Sequence, residues 1–290
     1  MKPDVPITYF INWRVVSNEL VPVIMEQVAS YGIENIVLTD SVIPRLADMD
    51  VHELFLKSAA AAGLKYVDAH APIQETDLLG LAPEKNRKAM LRSSENVIQI
   101  AGEFGCKTCT FHVWNWRPDS HNAEERFGYI CDSLESLLPI AEKNDVIIAL
   151  ENVWCPPCAP EFLVRIMKHF NSPYLGLCYD SGHAFVFDQG RYNPEQSCVP
   201  VSWNCPVEEI PWDGEALEKM LPWIVNCHLH DNNGLKDQHV MPGKGNINWK
   251  HVVDLLVQAP NLKCIQSEVS AKWQDGDVKT LKQDFEKIFN

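Results

Sequence analysis

The stretch from Val146 to Asp180, VIIALENVWCPPCAPEFLVRIMKHFNSPYLGLCYD, contains the repeating unit that decides the fold. It begins with the short apolar run VIIALENV and ends with a second apolar run, YLGLCYD. Between the two runs, Pro160–His169 places apolar residues three and four positions apart, which is typical of an amphipathic helix. Two strands joined by a helix that crosses over the sheet run parallel. The stretch therefore predicts a strand–helix–strand unit with parallel strands.

The same unit recurs along the whole chain of 290 residues. Eight apolar runs predict strands at Ile7–Trp13, Ile33–Thr39, Leu64–His70, Cys106–Val113, Val146–Val153, Tyr174–Asp180, Ile224–Asp231 and Lys263–Ser270. Amphipathic segments between them predict helices, among them Pro83–Phe104, Ala123–Lys143, Pro160–His169 and Trp249–Gln258. The irregular stretch Asp188–Asp213 predicts a long loop after the sixth strand.

Eight β-then-α units close most economically into a (β/α)₈ TIM barrel, so we predict an α/β fold with one domain over residues 1–290. An open, doubly wound sheet is the alternative. It is disfavoured because no Gly-rich dinucleotide or phosphate loop follows the first predicted strand.

The composition excludes several classes of protein. Hydrophobic residues make up 46% of the chain, which excludes wholesale disorder. Asp and Glu number 39 against 25 Lys and Arg, and the net charge of −14 repels a phosphate backbone, so we expect no nucleic-acid partner. No apolar run approaches the length of a membrane span, and MKPDVPITYF lacks the apolar core of a signal peptide. We therefore expect no membrane association and a cytoplasmic location.

The ten cysteines are expected to be reduced thiols in that compartment. Five of them lie in predicted strands, where a buried thiol behaves as a small apolar side chain: Cys106, Cys109, Cys178, Cys227 and Cys264. Cys155 and Cys158 form a CxxC motif after the fifth strand, and Cys198 and Cys205 follow later. A four-cysteine zinc site is an alternative for this set, but the second pair has the wrong spacing for a zinc knuckle.

Ionisable residues interrupt or follow the apolar runs at the ends of six consecutive strands. They are His70 on the third, His112 on the fourth, Glu151 on the fifth, Asp180 with His183 on the sixth, His228 with His230 on the seventh, and Glu268 on the eighth, with Asp237 and His239 just past the seventh. The carboxyl ends of barrel strands meet at one rim. Carboxylates and imidazoles converging there need a cation to organise them, so the pattern predicts a divalent metal site. Singly, each residue also has an ordinary structural role, such as a helix N-cap for Asp180.

With these residues the chain resembles the xylose isomerase-like TIM-barrel superfamily, which includes sugar isomerases and epimerases and the zinc-dependent apurinic-site endonucleases. The resemblance covers nearly the whole chain and is most specific in LENVW, YDSGHA, HLHDNNG and DQHVMPGKGNINW. It implies a metal held by Glu151, Asp180, His228 and Glu268. His228 is favoured over His230 because the family's ligand typically precedes an Asp by three residues, and the choice stays open.

The endonuclease branch of that superfamily has five further ligands, which build a three-metal cluster. The resemblance places them at His70, His112, His183, Asp237 and His239, and all five are present here. It therefore implies zinc or manganese, with room for more than one ion per chain. The acidic composition lacks the basic surface that such endonucleases need to follow DNA.

The leading hypothesis is a metal-dependent isomerase or epimerase of a small sugar, sugar phosphate or polyol. It works through a metal-stabilised enediolate, with Glu151 and Glu268 as the acid–base pair and His183 assisting. Predicted substrate contacts are Trp114, Trp116 and Trp154, which could stack on a sugar or pack in loops, and Lys244 and Arg117, which could meet a phosphate or stay solvated. The alternatives are a zinc-cluster phosphodiesterase or apurinic-endonuclease-like hydrolase, and a non-catalytic binding barrel. The sequence leaves open which sugar is used and whether the chain forms a homo-oligomer.

Overall fold

Eight parallel strands form a closed barrel in which spatial order follows chain order and the first strand pairs with the last. The computed structural model describes residues 4–74, 77–83, 86–115, 122–203, 205–271 and 277–290. The strands are β1 Ile7–Tyr9, β2 Asn35–Leu38, β3 Lys65–His70, β4 Thr108–Phe111, β5 Ile147–Glu151, β6 Leu175–Asp180, β7 Ile224–Leu229 and β8 Ile265–Ser267. The predicted (β/α)₈ TIM barrel is confirmed.

Helices follow the strands and surround the barrel. They are α1 Val21–Ser30, α2 Met49–Ala62, α3 Arg87–Glu103, α4 Ala123–Lys143, α5 Pro160–His169, α6 Ser181–Gln189, α7 Val199–Trp203, α8 Ala216–Met220, α9 Trp249–Leu256 and α10 Asp277–Phe285. Short 3₁₀ helices lie at Asn18–Leu20, Ile43–Ala47, Pro156–Cys158, Gly190–Tyr192, Val207–Glu209, Leu221–Trp223 and Glu286–Phe289. Helices α4 and α5 have the predicted bounds. Within the part of the chain described, no helix combines the length and apolarity that crossing a bilayer requires.

Most strands are shorter than the apolar runs that predict them. The first predicted strand, Ile7–Trp13, ends in the structure at Tyr9. Ile11 and Trp13 lie beyond the last β1 residue but remain buried, and the Trp13 indole packs edge-on against Phe55 of α2 with ring centroids 5.4 Å apart. Apolar residues thus continue past the hydrogen-bonded strand because they fill the space under the loops of the barrel rim.

The stretch Asp188–Asp213, predicted as a long loop, is partly helical, and that prediction is corrected. It contains the end of α6, the helix α7 and two 3₁₀ turns. Trp203 anchors α7, because its indole N–H donates to the Trp154 carbonyl oxygen at 2.8 Å and its ring stacks on Phe187. Helices of five residues are too short to produce a detectable periodicity, so the sequence pattern missed them.

The interior of the barrel below the rim is polar. Thr108 Oγ1 of β4 donates to Asp68 Oδ1 of β3 at 2.9 Å and lies 3.4 Å from the thiol of Cys264, on the far side of the barrel. Burial raises the pKa of Asp68 to about 6. Above this layer, Thr110 Oγ1 lies 3.4 Å from His228 Nε2, so the polar interior reaches the rim. The five strand-associated cysteines are all buried free thiols, as predicted.

Gly176 of β6 permits the close approach of β7. A Cβ at this position would overlap both methyl groups of Val225 and would make a tight contact with the carbonyl oxygen of Trp223. We expect Gly176→Ala to lower the free energy of unfolding by about 1–3 kcal/mol, measured by urea denaturation. Gly128→Ala in α4 is the matched control, because a Cβ there meets no neighbouring atom. Equal stability of the two variants would contradict this packing.

Candidate active site and metal centre

The ionisable residues singled out in the sequence lie at the carboxyl ends of the strands. His70, Glu151 and Asp180 are the last residues of β3, β5 and β6. His112 follows β4 at once, His228 is the last residue but one of β7, and Glu268 directly follows β8. Because the strands are parallel and the barrel is closed, these side chains converge on one rim.

Glu151 lies at the centre of this convergence, with a side chain only 1% exposed. Its Oε2 lies 2.7 Å from His112 Nε2 and 3.3 Å from His70 Nε2. Its Oε1 lies 2.9 Å from His228 Nδ1 and 3.7 Å from His183 Nδ1. Each carboxylate oxygen therefore faces a different set of imidazoles.

Electrostatic interactions keep Glu151 ionised in spite of its burial. Desolvation raises the pKa of this carboxyl, but the facing His228 and His112 outweigh it and hold the pKa well below its usual range. Burial lowers the pKa of His228, but Cys178, Glu151 and Glu268 together raise it well above the ordinary value. Within this buried cluster the carboxylates and the imidazoles therefore favour one another's charged forms.

Four residues form what we call the central group: Glu151, Asp180, His228 and Glu268. One donor atom from each lies within 4.8 Å of all the others. Three carboxylates this close together require compensating positive charge. Asp180 also accepts a hydrogen bond from the His183 backbone N–H at 2.6 Å, as the N-cap of α6. Asp180 therefore caps the helix and lies in the cluster at the same time.

Two further groups of donors flank the central group. Within each of them, one donor atom from each residue again lies within 4.8 Å of all the others. We call His70, His112 and Glu151 the first group, and His183, His230, Asp237 and His239 the third group. In the third group, Asp237 Oδ2 lies 3.4 Å from His183 Nε2 and 2.9 Å from His239 Nε2. The structure thus brings together all nine side chains that the sequence singled out as metal ligands, and His230 lies with them as a tenth.

The imidazole nitrogens are oriented as metal ligation requires. Nδ1 lies 2.8–2.9 Å from a backbone carbonyl oxygen in the pairs His70–Ala71, His183–Asn152 and His239–Glu268. Because a carbonyl oxygen only accepts, Nδ1 carries a proton in each ring, and Nε2, which points into the cluster, is the nitrogen left to bind a metal ion once it has lost its own proton. Lone pairs of imidazoles and oxygens of carboxylates are donors that zinc and manganese accept. The residues present therefore fit a divalent metal.

The loop after β7 is folded back onto the rim by Asp231. An antiparallel bridge joins Asp231 to Val240, with hydrogen bonds of 2.8 and 3.0 Å. The Asp231 carboxylate accepts from the backbone N–H of Gly243 at 2.8 Å and from the indole N–H of Trp249 at 2.9 Å. A Cβ at Gly245 would collide with this carboxylate and with the backbone of Asn232. These contacts explain why Asp237 and His239, which follow β7 by several residues, reach the cluster at the rim.

A cavity of about 300 Å³ opens beside the central group. Its lining includes Phe10, Asn12, Arg14, Asp40, His70, Ile73, His239, Glu268 and Ser270. Arg14 Nη2 and Asp40 Oδ2 form an ion pair at 2.7 Å. Sequence reasoning missed both residues. Arg14 and Asp40 directly follow the first and second predicted strands, so the same search for strand-end residues, extended to those strands, finds them.

The predicted substrate-binding residues have different surroundings. Trp154 is buried and its ring packs edge-on against His183, with centroids 5.0 Å apart. The Arg126 guanidinium covers a face of Trp114 at 3.8 Å. Lys244 is exposed and lines a second cavity of about 640 Å³ that also reaches His239. Trp116 and Arg117 lie outside the described residues.

The two cysteines of the CxxC motif are buried and make packing and hydrogen-bond contacts with other described residues. Cys155 and Cys158 are both buried, and burial raises the pKa of Cys155 well above its usual value. The Cys158 thiol donates to the Trp114 carbonyl oxygen at 3.3 Å. None of the potential metal-binding groups found among the described residues contains either cysteine. The alternative of a four-cysteine zinc site is therefore not supported.

Comparison with known proteins supports the same family as the motifs. A family model described as a xylose isomerase-like TIM barrel matches residues 25–279. The uncharacterised protein MJ1311 of Methanocaldococcus jannaschii is 28% identical over 193 residues, which cover 64% of this chain. The match spans 58% of the length of MJ1311.

Solved structures share the fold over nearly the whole chain. A D-tagatose 3-epimerase-like protein superposes with a TM-score of 0.71 and 21% identity, and the match covers 97% of each chain. The IOLI protein, solved with a bound zinc atom, superposes with a TM-score of 0.69 and 18% identity over 97% of this chain and 96% of its own. At these identities the similarity establishes the fold alone.

Proposed function

The chain belongs to the xylose isomerase-like TIM-barrel family, and we propose that it is a divalent-metal-dependent sugar isomerase or epimerase. The observation that carries this proposal is the central group beside a small cavity at the barrel rim. Active sites of TIM-barrel enzymes lie at this rim. The D-tagatose 3-epimerase-like structure supports a sugar as the substrate class, and the zinc-bound IOLI structure supports a metal.

In this proposal Glu151 and Glu268 are the acid–base pair. They come from β5 and from the end of β8, which are not neighbours in the barrel. Glu268 lines the cavity and so can meet a substrate C–H or O–H directly. Glu151 is buried and contacts His112 and His228, which are the groups with which it would exchange protons in this proposal. A divalent ion bound to the central group supplies positive charge that stabilises negative charge developing on adjacent substrate oxygens.

The cavity favours a small, uncharged carbohydrate over a phosphorylated one. Its volume of about 300 Å³ is at the lower end of ligand pockets. Its one arginine, Arg14, is paired with Asp40, which balances its charge. Paired in this way, the two side chains offer donors and acceptors to neighbouring hydroxyl groups of a sugar.

We expect Asp40→Asn to raise KM for a neutral sugar about tenfold while kcat changes by less than about threefold. The substitution releases Arg14 from its ion pair and leaves the metal ligands in place. Stability should change by less than about 1 kcal/mol, because exposed ion pairs contribute little. Asp145→Asn is the matched control, since it breaks the exposed ion pair with Lys107, whose Nζ lies 2.7 Å from Asp145, away from the cavity. A loss confined to kcat would contradict this role.

A metal-dependent phosphodiesterase or endonuclease is the second candidate. It is favoured by the completeness of the first and third groups, because hydrolases that clamp a phosphate use two or three metal ions. The net charge of −14 opposes binding to a nucleic acid. Metal analysis of the purified protein separates the candidates: about three zinc ions per chain would favour hydrolysis, and one manganese or cobalt ion would favour isomerisation.

The proposed reaction is tested by incubating the protein with a panel of aldoses and ketoses and Mn²⁺, Co²⁺ or Zn²⁺. We expect an isomerised or epimerised product from at least one sugar, and loss of that product in Glu268→Gln. Glu218→Gln is the matched control, because Glu218 contacts His251 on the exterior of the barrel. A panel that yields no product from any sugar while the protein cleaves phosphodiesters would overturn the proposal.

A further inference from the structure

His228 is favoured over His230 as the family's ligand, yet His230 contacts a member of the central group and another member of the third group. Its Nε2 lies 3.1 Å from Asp180 Oδ2, in the central group. Its ring stacks on that of His239, in the third group, with centroids 3.8 Å apart and planes at 11°. The side chain is fully buried. His230 therefore lies between two sets of potential metal ligands.

The hydrogen bonds of His230 fix which nitrogen carries the proton. Among the described residues, Nδ1 is buried without any hydrogen-bond partner. Placing a proton there would bury a donor that has no acceptor. Nε2 faces a carboxylate oxygen, which accepts. The arrangement is therefore that of a ring whose Nε2–H donates to Asp180.

This arrangement distinguishes a residue that supports a metal ligand from a residue that binds the metal itself. A nitrogen that donates its proton to Asp180 has no lone pair for a metal ion. The rings of His230 and His239 are also nearly parallel, so the lone pairs of their nitrogens lie in two parallel planes. Two imidazoles that bind one ion must instead direct their lone pairs at the same point. Proximity places His230 in the third group, but its hydrogen bond and its stacking are those of a supporting residue.

We propose that His230 is a positioning residue that holds Asp180 of the central group in place from the side of the third group. It holds Asp180 Oδ2, while the His183 backbone N–H holds Asp180 Oδ1. Its own backbone is fixed by Ser181, whose hydroxyl donates to the His230 carbonyl oxygen at 2.9 Å. A Cβ at Gly182 would collide with the imidazole, so the start of α6 leaves the ring one position. The inference rests on the metal centre of the proposed function and not on which substrate is turned over.

The test is the zinc affinity of purified protein, measured by competition with a chromogenic chelator, together with the number of ions bound at saturation. His230→Phe keeps a ring to stack on His239 but removes the donor to Asp180. We expect it to weaken zinc binding about 10–100-fold without changing the number of ions. His230→Gln restores an N–H donor and should bind zinc within about threefold of the unsubstituted protein. His251→Phe and His251→Gln, at an exposed histidine on α9, are matched controls.

Two results would overturn the proposal. Loss of one bound ion in both His230 variants would make His230 a ligand, and unchanged affinity in His230→Phe would give it no role. If His230→Phe does not fold, Gly182→Ala replaces it, because the added methyl displaces the imidazole without changing it; unchanged affinity in that variant would also overturn the proposal. Zinc affinity and the number of bound ions can be measured even if the protein turns over no sugar. Failure of the proposed function is therefore distinguishable from failure of this inference.

Discussion

Glu151→Gln is expected to abolish turnover and to weaken metal binding at two donor groups together. Each Glu151 oxygen faces a separate pair of imidazoles, and an amide offers only one acceptor oxygen. Its NH₂ group would point at the N–H or the metal-binding lone pair of a histidine. We expect kcat/KM to fall by about 10²–10⁴ from the lost acid–base function alone, and further from the lost metal.

The measurement pairs kinetics with metal analysis of the same preparation. Glu142→Gln is the control, because Glu142 is an exposed residue of α4 and the chemical change is the same. A Glu151→Gln protein that keeps its full complement of metal and a tenth of its activity would show that this carboxylate neither bridges nor transfers protons.

Removal of the metal is expected to destabilise the whole barrel. The central group brings three carboxylates together at the ends of β5, β6 and β8, and a bound cation offsets their repulsion in the folded state only. At a metal concentration of about 1,000 times Kd, binding stabilises the fold by about 4 kcal/mol. For a chain of this size that corresponds to a rise in Tm of about 10 °C.

Differential scanning calorimetry before and after dialysis against a chelator measures this shift. Restoring zinc or manganese should restore both Tm and activity. Glu151→Gln serves as the reference, because its Tm should respond less to either ion than that of the unsubstituted protein. A Tm of the unsubstituted protein that is unchanged by the chelator would contradict a metal site at the rim.

The fold was predictable because the pattern repeats. Eight apolar runs alternate with amphipathic segments, and α4 and α5 have the bounds that their periodicity predicts. The ends of the strands were less predictable, because apolar side chains remain buried beyond the last residue that makes strand hydrogen bonds. Trp13 is as buried as the residues of β1, although β1 ends at Tyr9. The short helix α7 depends on the contacts of Trp203 with distant residues, which no local pattern contains.

The residues of the site could be predicted from the sequence, but the contacts between them could not. The ends of consecutive strands bring Glu151, Asp180 and Glu268 to one rim in any closed parallel barrel, so residue types and topology suffice to find them. Glu151 faces two sets of imidazoles because its two oxygens point in different directions. No local sequence pattern contains those directions. The role of His230 likewise follows from a hydrogen bond across the rim and from a ring that stacks on it.

Exchange of substrate hydrogen with solvent tests the proposed function most directly. The metal-loaded protein is incubated in D₂O with neutral ketoses and aldoses and followed by proton NMR. We predict deuterium at the carbon next to the carbonyl of one sugar, together with its isomer or epimer, and loss of both in Glu268→Gln. Absence of exchange in every sugar, with cleavage of abasic-site DNA or another phosphodiester by the same preparation, would contradict a sugar isomerase or epimerase.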